Sequence, residues 1–112
     1  MDAAAEAKLA ELEAFAEKVL AAQPENADAH HALGLIRMRQ ARWRSAAELL
    51  QSARETEPGR PEFTRNYLHA LNGLAKSESD KGAYDEARAA LAQALNCRPG
   101  DTDFLCHRRQ AI

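Results

Sequence analysis

Three prolines close three similar phrases along the chain, VLAAQPENADA, ARETEPGRPEF and ALNCRPGDTDF. Pro24 and Pro58 stand 34 residues apart, and Pro58 and Pro99 stand 41 apart. A sequence that repeats at such a period folds as a row of small supersecondary units, each unable to bury its apolar face alone. Between the prolines the copies hold register. His30, Leu33, Gly34, Trp43, Ala46, Leu50, Ala53 and Pro58 each lie 41 residues before Leu71, Leu74, Ala75, Tyr84, Ala87, Leu91, Ala94 and Pro99. The second interval exceeds the first by seven residues, which is close to two turns of α-helix at about 3.6 residues per turn.

The 112 residues suit one domain or an array of small units, and the scarcity of aromatic residues (5%), with only five Gly and four Pro, points to an all-α protein. The spacing of apolar residues predicts helices over 3–22, 27–40, 42–56, 61–79, 82–97 and 102–110. Pro58 and Pro99 disfavour continuation of the helices before them. Gly34 and Ala75 fall within helices, where Gly costs about 1 kcal/mol relative to Ala. Close approach of a partner helix, with Ala46 or Ala87 facing the small residue, is the expected compensation. Trp43 and Tyr84 open the second helix of each unit and are expected to wedge between its two helices as core filler. The apolar row Phe63, Tyr67, Leu71 and Leu74 continues unbroken through the lengthened helix.

The order HHALGLIR, SAAELL, Pro58 resembles the tetratricopeptide repeat, whose signature is W-x₂-L-G-x₂-Y…A-x₃-F…P at a 34-residue period. His30 stands for the Trp, Arg37 for the Tyr and Leu50 for the Phe, and the second copy has Leu71, Ala75 and Glu78 where Trp, Gly and Tyr would be. The resemblance implies a right-handed α-solenoid of antiparallel helix pairs. It divides the chain into an amino-terminal capping helix (1–26), repeat one (27–60), repeat two with the seven-residue extension (61–101) and a carboxy-terminal capping helix (102–112). Residues 3–22 resemble the second helix of a preceding unit, and 102–112, with Phe104 and Leu105, the first helix of a following one. Apolar side chains at the two ends give a motive for homo-oligomerisation through the end helices, or for a longer parent chain.

In tetratricopeptide proteins the first helix of each unit lines a concave groove that receives a peptide or a partner's helix. Glu62, Arg65, His69, Asn72, Lys76 and Ser79 follow steps of three and four and form one stripe along the long helix. Together with His31, Leu35, Met38 and Arg39 of the first unit, the residues Arg65, His69, Asn72 and Lys76 are the expected groove lining. Arg65, Asn72 and Lys76 would pair with an acidic or extended segment over an apolar floor of Leu35 and Met38. A plain solvated face is the competing reading of the same stripe. The family's Lys, Arg and Asn clamp for a chaperone's carboxyl terminus is not reproduced, since His31 and Leu35, then Asp103 and His107, occupy those places.

Other functions find less support. A formal net charge of −2 argues against nucleic acid or an anionic membrane as a bulk partner. The basic patch RMRQARWR, with Arg37, Arg39, Arg42 and Arg44 around Trp43, would splay around a helix–helix junction. Residues 1–26 carry six acids against Lys8 and Lys18, and 27–60 carry six Arg against four acids, an asymmetry that suits docking of neighbouring helices. Cys97 and Cys106 lack metal-ligand spacing and read as small apolar fillers. No phosphate loop, carboxylate pair or nucleophilic triad is present, so neither catalysis, metal nor cofactor is expected. The acidic start lacks a signal-peptide pattern, which gives a cytoplasmic expectation. Two function classes remain, a protein- or peptide-binding module and a self-associating scaffold, the latter on its own or within a larger enzyme or secretion component.

Overall fold

A computed structural model describes residues 3–96 of the chain, all but the linking turns helical. The elements are α1 (Ala3–Ala22), α2 (Ala27–Arg39), α3 (Trp43–Thr56), α4 (Pro61–Asp80) and α5 (Tyr84–Asn96). Five of the six expected helices are thus found within a residue or two of their expected bounds. The sixth, expected over 102–110, lies outside the described residues, as do Cys97 and Cys106. Each helix packs on the next in the chain, and α3 lies between α2 and α4. Among the described residues no helix is long and apolar enough to cross a membrane.

The turns carry the repeat at atomic level. Between α2 and α3, the N–H of Gln40 donates to Ile36 and Arg37, that of Ala41 to Met38, and that of Arg42 to Arg37 at 2.9 Å. Between α4 and α5, Lys81 donates to Ser77 and Glu78, Gly82 to Ser79, and Ala83 to Glu78 at 2.8 Å, every partner displaced by the same 41 positions. Such closures satisfy the orphan carbonyls at a helix end and need one residue in the left-handed region. Ala41 fills that role at φ +60° and Gly82 at φ +84°. The turns between units keep the shorter period. Gln23 donates to Val19 and Asn26 to Gln23, while Glu57 donates to Ala53 and Arg60 to Glu57, 34 positions on.

The change of period is therefore confined to α4, which has 20 residues where α2 has 13. The seven additional residues are helix, and Phe63, Tyr67, Leu71 and Leu74 are all buried as one continuous row. The two helices start differently. Asn26 caps α2 by accepting from the N–H of Ala29 at 2.9 Å, whereas α4 begins with Pro61, whose missing N–H needs no cap.

Leu50, Ala46, Ala53, Phe63 and Ala70 have no exposed surface, so the core lies where α3 meets α4. At Gly34 an added Cβ would lie 2.7 Å from Leu50 Cγ and 3.5 Å from the Ala46 carbonyl oxygen. The expected compensation for a mid-helix Gly is thus observed, with Leu50 supplying the side chain that fills the gap. Trp43 packs against the cluster by lying across Gly73 of α4, where a Cβ would come within 2.3 Å of its ring. It thereby joins α3 to α4. Tyr84 opens α5 as expected but is 64% exposed, because among the described residues no further helix lies beyond α5 to receive it.

The charge asymmetry operates at the α1–α2 contact. Arg37 donates to Glu13 and, at 3.2 Å, to Glu17, and Gln40 donates to Glu13 at 3.1 Å. A second polar group lies inside the stack. The Arg54 side chain is wholly buried with its guanidinium 5.5 Å from the Tyr67 ring centroid, and Tyr67 Oη accepts from Gln93 at 2.6 Å. Burial pushes the Tyr67 phenol up to about 12, Glu55 adding to the rise, while Arg54 and the Gln93 bond oppose it.

Ala41 and Gly82 supply a matched test, since an alanine in the left-handed region is disfavoured by about 1–2 kcal/mol. Replacing Ala41→Gly should stabilise the fold by about 1 kcal/mol, and Gly82→Ala should destabilise it by a similar amount. Urea unfolding followed by circular dichroism measures both, and equal midpoints for the two variants would contradict the assignment of the turns.

Candidate functional site

The exposed side of α4 follows from its buried side. With Phe63, Tyr67, Ala70, Leu71, Leu74 and Ala75 turned into the core, the steps Arg65, His69, Asn72 and Lys76 fall on the opposite arc, and all four are exposed. Lys76 reaches Asp80 at 3.4 Å, an exposed pair of the kind that contributes little to stability. Together Arg65, His69, Asn72 and Lys76 form a polar strip of donors running along about three turns of helix.

The residues expected on α2 divide between three places. His31 is half-buried in the seam between α2 and α4, its ring centroid 4.5 Å from that of Phe63 and its Nε2 2.8 Å from Asn66 Nδ2. An amide N–H can only donate, so this contact fits a neutral ring with Nε2 as acceptor. Leu35 and Arg39 lie instead along a groove between α2 and α1, of about 650 Å³, which also contains Leu9, Leu12 and Phe15. Met38 is partly buried and packs against the main core cluster. The polar strip of α4 and the apolar groove of α1 and α2 are therefore flanked by a shared seam, and the eight residues do not converge on one pocket.

Arg60, which the sequence reading did not single out, ties the start of α4 to α2. It donates to Asp28 at 3.1 Å, Glu57 at 3.2 Å and Glu62 at 2.9 Å, and its guanidinium lies 4.3 Å from the Phe63 ring centroid. The GRPE sequence gave a local hint, because a basic residue beside Pro61 and Glu62 stands at a helix start, but Asp28 is 32 positions away. Hydrogen bonds to Glu62 and Glu57 favour the charged guanidinium, and the Glu62 carboxyl is held below its ordinary value first by its own backbone N–H and then by the bond from Arg60.

The basic patch around Trp43 is divided. Arg37 is taken up by Glu13 and Glu17 and is largely buried, whereas Arg44, which reaches Glu78 at 3.5 Å, stays exposed together with Arg39 and Arg42. Among the described residues no group of three or more His, Cys, Asp and Glu side chains is placed to hold a metal ion. Set against known protein families, curated proteins and solved structures, the chain gave no match.

Burial lowers the His31 pKa below the ordinary 6.5, with Glu62 opposing, Arg60 adding to the fall and Asp28 opposing. The unfolded chain therefore takes up this proton first as pH drops, so the stability carried by neutral His31 is complete above about pH 6.5 and is lost on acidification through the folded-state pKa. The fall in urea midpoint between pH 7 and pH 5 should be smaller in His31→Asn than in the parent. An identical fall in both would contradict a desolvated His31 in the α2–α4 seam.

Proposed function

We propose that the chain is a tetratricopeptide-type module, a right-handed α-solenoid of antiparallel helix pairs, that binds a protein or peptide ligand along the face shared by α2 and α4. The observation that carries this reading is the strip Arg65, His69, Asn72 and Lys76, which stays exposed along a helix lengthened by two turns without disturbing its buried row. Extra length in a solvated helix does nothing for the core on its outer side. A longer binding wall is a use for it. Arg65 and Lys76 supply positive charge, Asn72 both a donor and an acceptor, and His69 a ring able to stack or hydrogen-bond. An extended acidic segment complements this set, with its main chain read by Asn72 and its carboxylates by the two cations. Neither catalysis nor a cofactor is part of the proposal.

A second reading, a self-associating scaffold, is favoured by a separate observation. Among the described residues the large exposed hydrophobic side chains are Leu12 and Phe15 on α1 and Tyr84, Leu91 and Leu95 on α5, at the two ends of the helix order.

The double variant Arg65→Ala with Lys76→Ala should lower the affinity for short acidic peptides about tenfold, equivalent to about 1.4 kcal/mol, and the residual binding should lose most of its salt dependence. Both substitutions fall on exposed positions, so helicity and urea midpoint should be unchanged. Undiminished peptide capture by the variant would overturn the groove reading.

A further inference from the structure

The groove between α1 and α2 has walls of Leu9, Leu12 and Phe15 on one side and Ala32 and Leu35 on the other. Leu12 is 50% exposed and Phe15 67%, so two large apolar side chains about one helical turn apart face water in the same groove. The repeat shows what such a position meets inside the stack. Leu12 lies 34 positions before Ala46 of α3, which has no exposed surface and belongs to a helix flanked by α2 and α4. Among the described residues α1 packs mainly on α2, so one of its flanks has no comparable helix. The groove lies where a helix would complete the packing of α1.

The charges on this groove have one sign. Among the described residues Lys8 and Arg39 are its only charged lining side chains, both are exposed, and neither makes an ion pair. The neighbouring Arg37 differs, being taken up by Glu13 and Glu17. Those bonds, with that of Gln40 to Glu13, fix the antiparallel register of α1 and α2. Lys8 near the start of α1 and Arg39 at the end of α2 consequently stand toward one end of the groove, and Phe15, Leu35 and Ala32 toward the other. The result is an apolar trough with a cationic end.

We infer that this groove docks an amphipathic helix of another protein, its apolar face seated on Leu12 and Phe15 and its carboxylates meeting Lys8 and Arg39 at the cationic end. A helix with basic ends is selected against, because the same two cations would then face like charge. The site is separate from the polar strip of α4 and independent of peptide capture there.

Two fluorescein-labelled synthetic peptides of about five helical turns test it in the full chain. Both carry the same stripe of Leu at helical spacing, and they differ only in their first and last turns, which carry Glu in one and Lys in the other. Fluorescence anisotropy should show the Glu peptide bound about tenfold more tightly than the Lys peptide, by a margin that shrinks with added salt. Phe15→Ser should weaken the Glu peptide about tenfold. Lys8→Glu with Arg39→Glu should reverse the preference, while Arg65→Ala with Lys76→Ala should leave it unchanged and so separate this site from the α4 strip. All of these positions are exposed, so circular dichroism should match that of the parent. No binding of the Glu peptide up to about 1 mM, or a preference that survives the reversal of charge, would overturn the inference. Self-association of the parent that Phe15→Ser abolishes would also overturn it, in favour of a second copy in the groove.

Discussion

The stack holds together because at two positions a glycine lets a bulky side chain from the neighbouring helix press against its backbone. Gly34 of α2 admits Leu50 of α3, and Gly73 of α4 admits Trp43 from the start of α3. Protein interiors are close-packed, so a helix pair that must interdigitate around a large residue needs a small one opposite it. Both contacts involve α3, which is consequently clamped from two sides. Its Ala46, Leu50 and Ala53 have no exposed surface. The surrounding polar contacts, Arg37 with Glu13 and Glu17, Arg60 with Asp28, and Arg44 with Glu78, then tie the outer helix ends to positions that packing has already set.

The same arrangement explains how α4 tolerates two extra turns. Seven residues return a helix to nearly its starting angle, so Phe63 and Tyr67 extend the buried row without rotating Leu71 and Leu74 out of it. The outer arc is lengthened by the same step. Arg65 and His69 sit in the added stretch or beside it, and they continue the strip begun by Asn72 and Lys76. The buried requirement and the exposed opportunity thus have one cause. At the ends of the stack the balance is different, since α1 packs mainly on α2 and α5 mainly on α4, and both keep large apolar side chains in contact with water.

Much of this was legible in the residues. The prolines and the 41-residue register located the turns, whose hydrogen bonds repeat at the same interval, and the apolar row of α4 was read from spacing alone. Burial was less legible, because equivalent places in a repeat need not have equivalent neighbours. Trp43 and Tyr84 are in register, yet one lies on Gly73 and the other is exposed. Arg54 and Leu95 are likewise in register, and there the charged residue is buried and the leucine is not. Sequence periodicity reports the face of a helix, while burial also depends on which helix stands beyond it. His31 shows the limit at the candidate site. Its place in the pattern suggested a groove residue, but Phe63 and Asn66, brought close by folding, draw it into the seam.

Trp43 is the chain's single tryptophan, so its fluorescence reads the α3–α4 contact without interference. The most direct measurement is the emission maximum and urea midpoint of Gly73→Ala. A methyl group there meets the indole ring rather than a yielding chain end. The account predicts a red-shifted emission as the ring is expelled toward water, with a net loss of about 1–2 kcal/mol in spite of the better helix propensity of Ala. Unchanged emission together with a raised midpoint would contradict the claim that small-to-large packing against α4 fixes the stack.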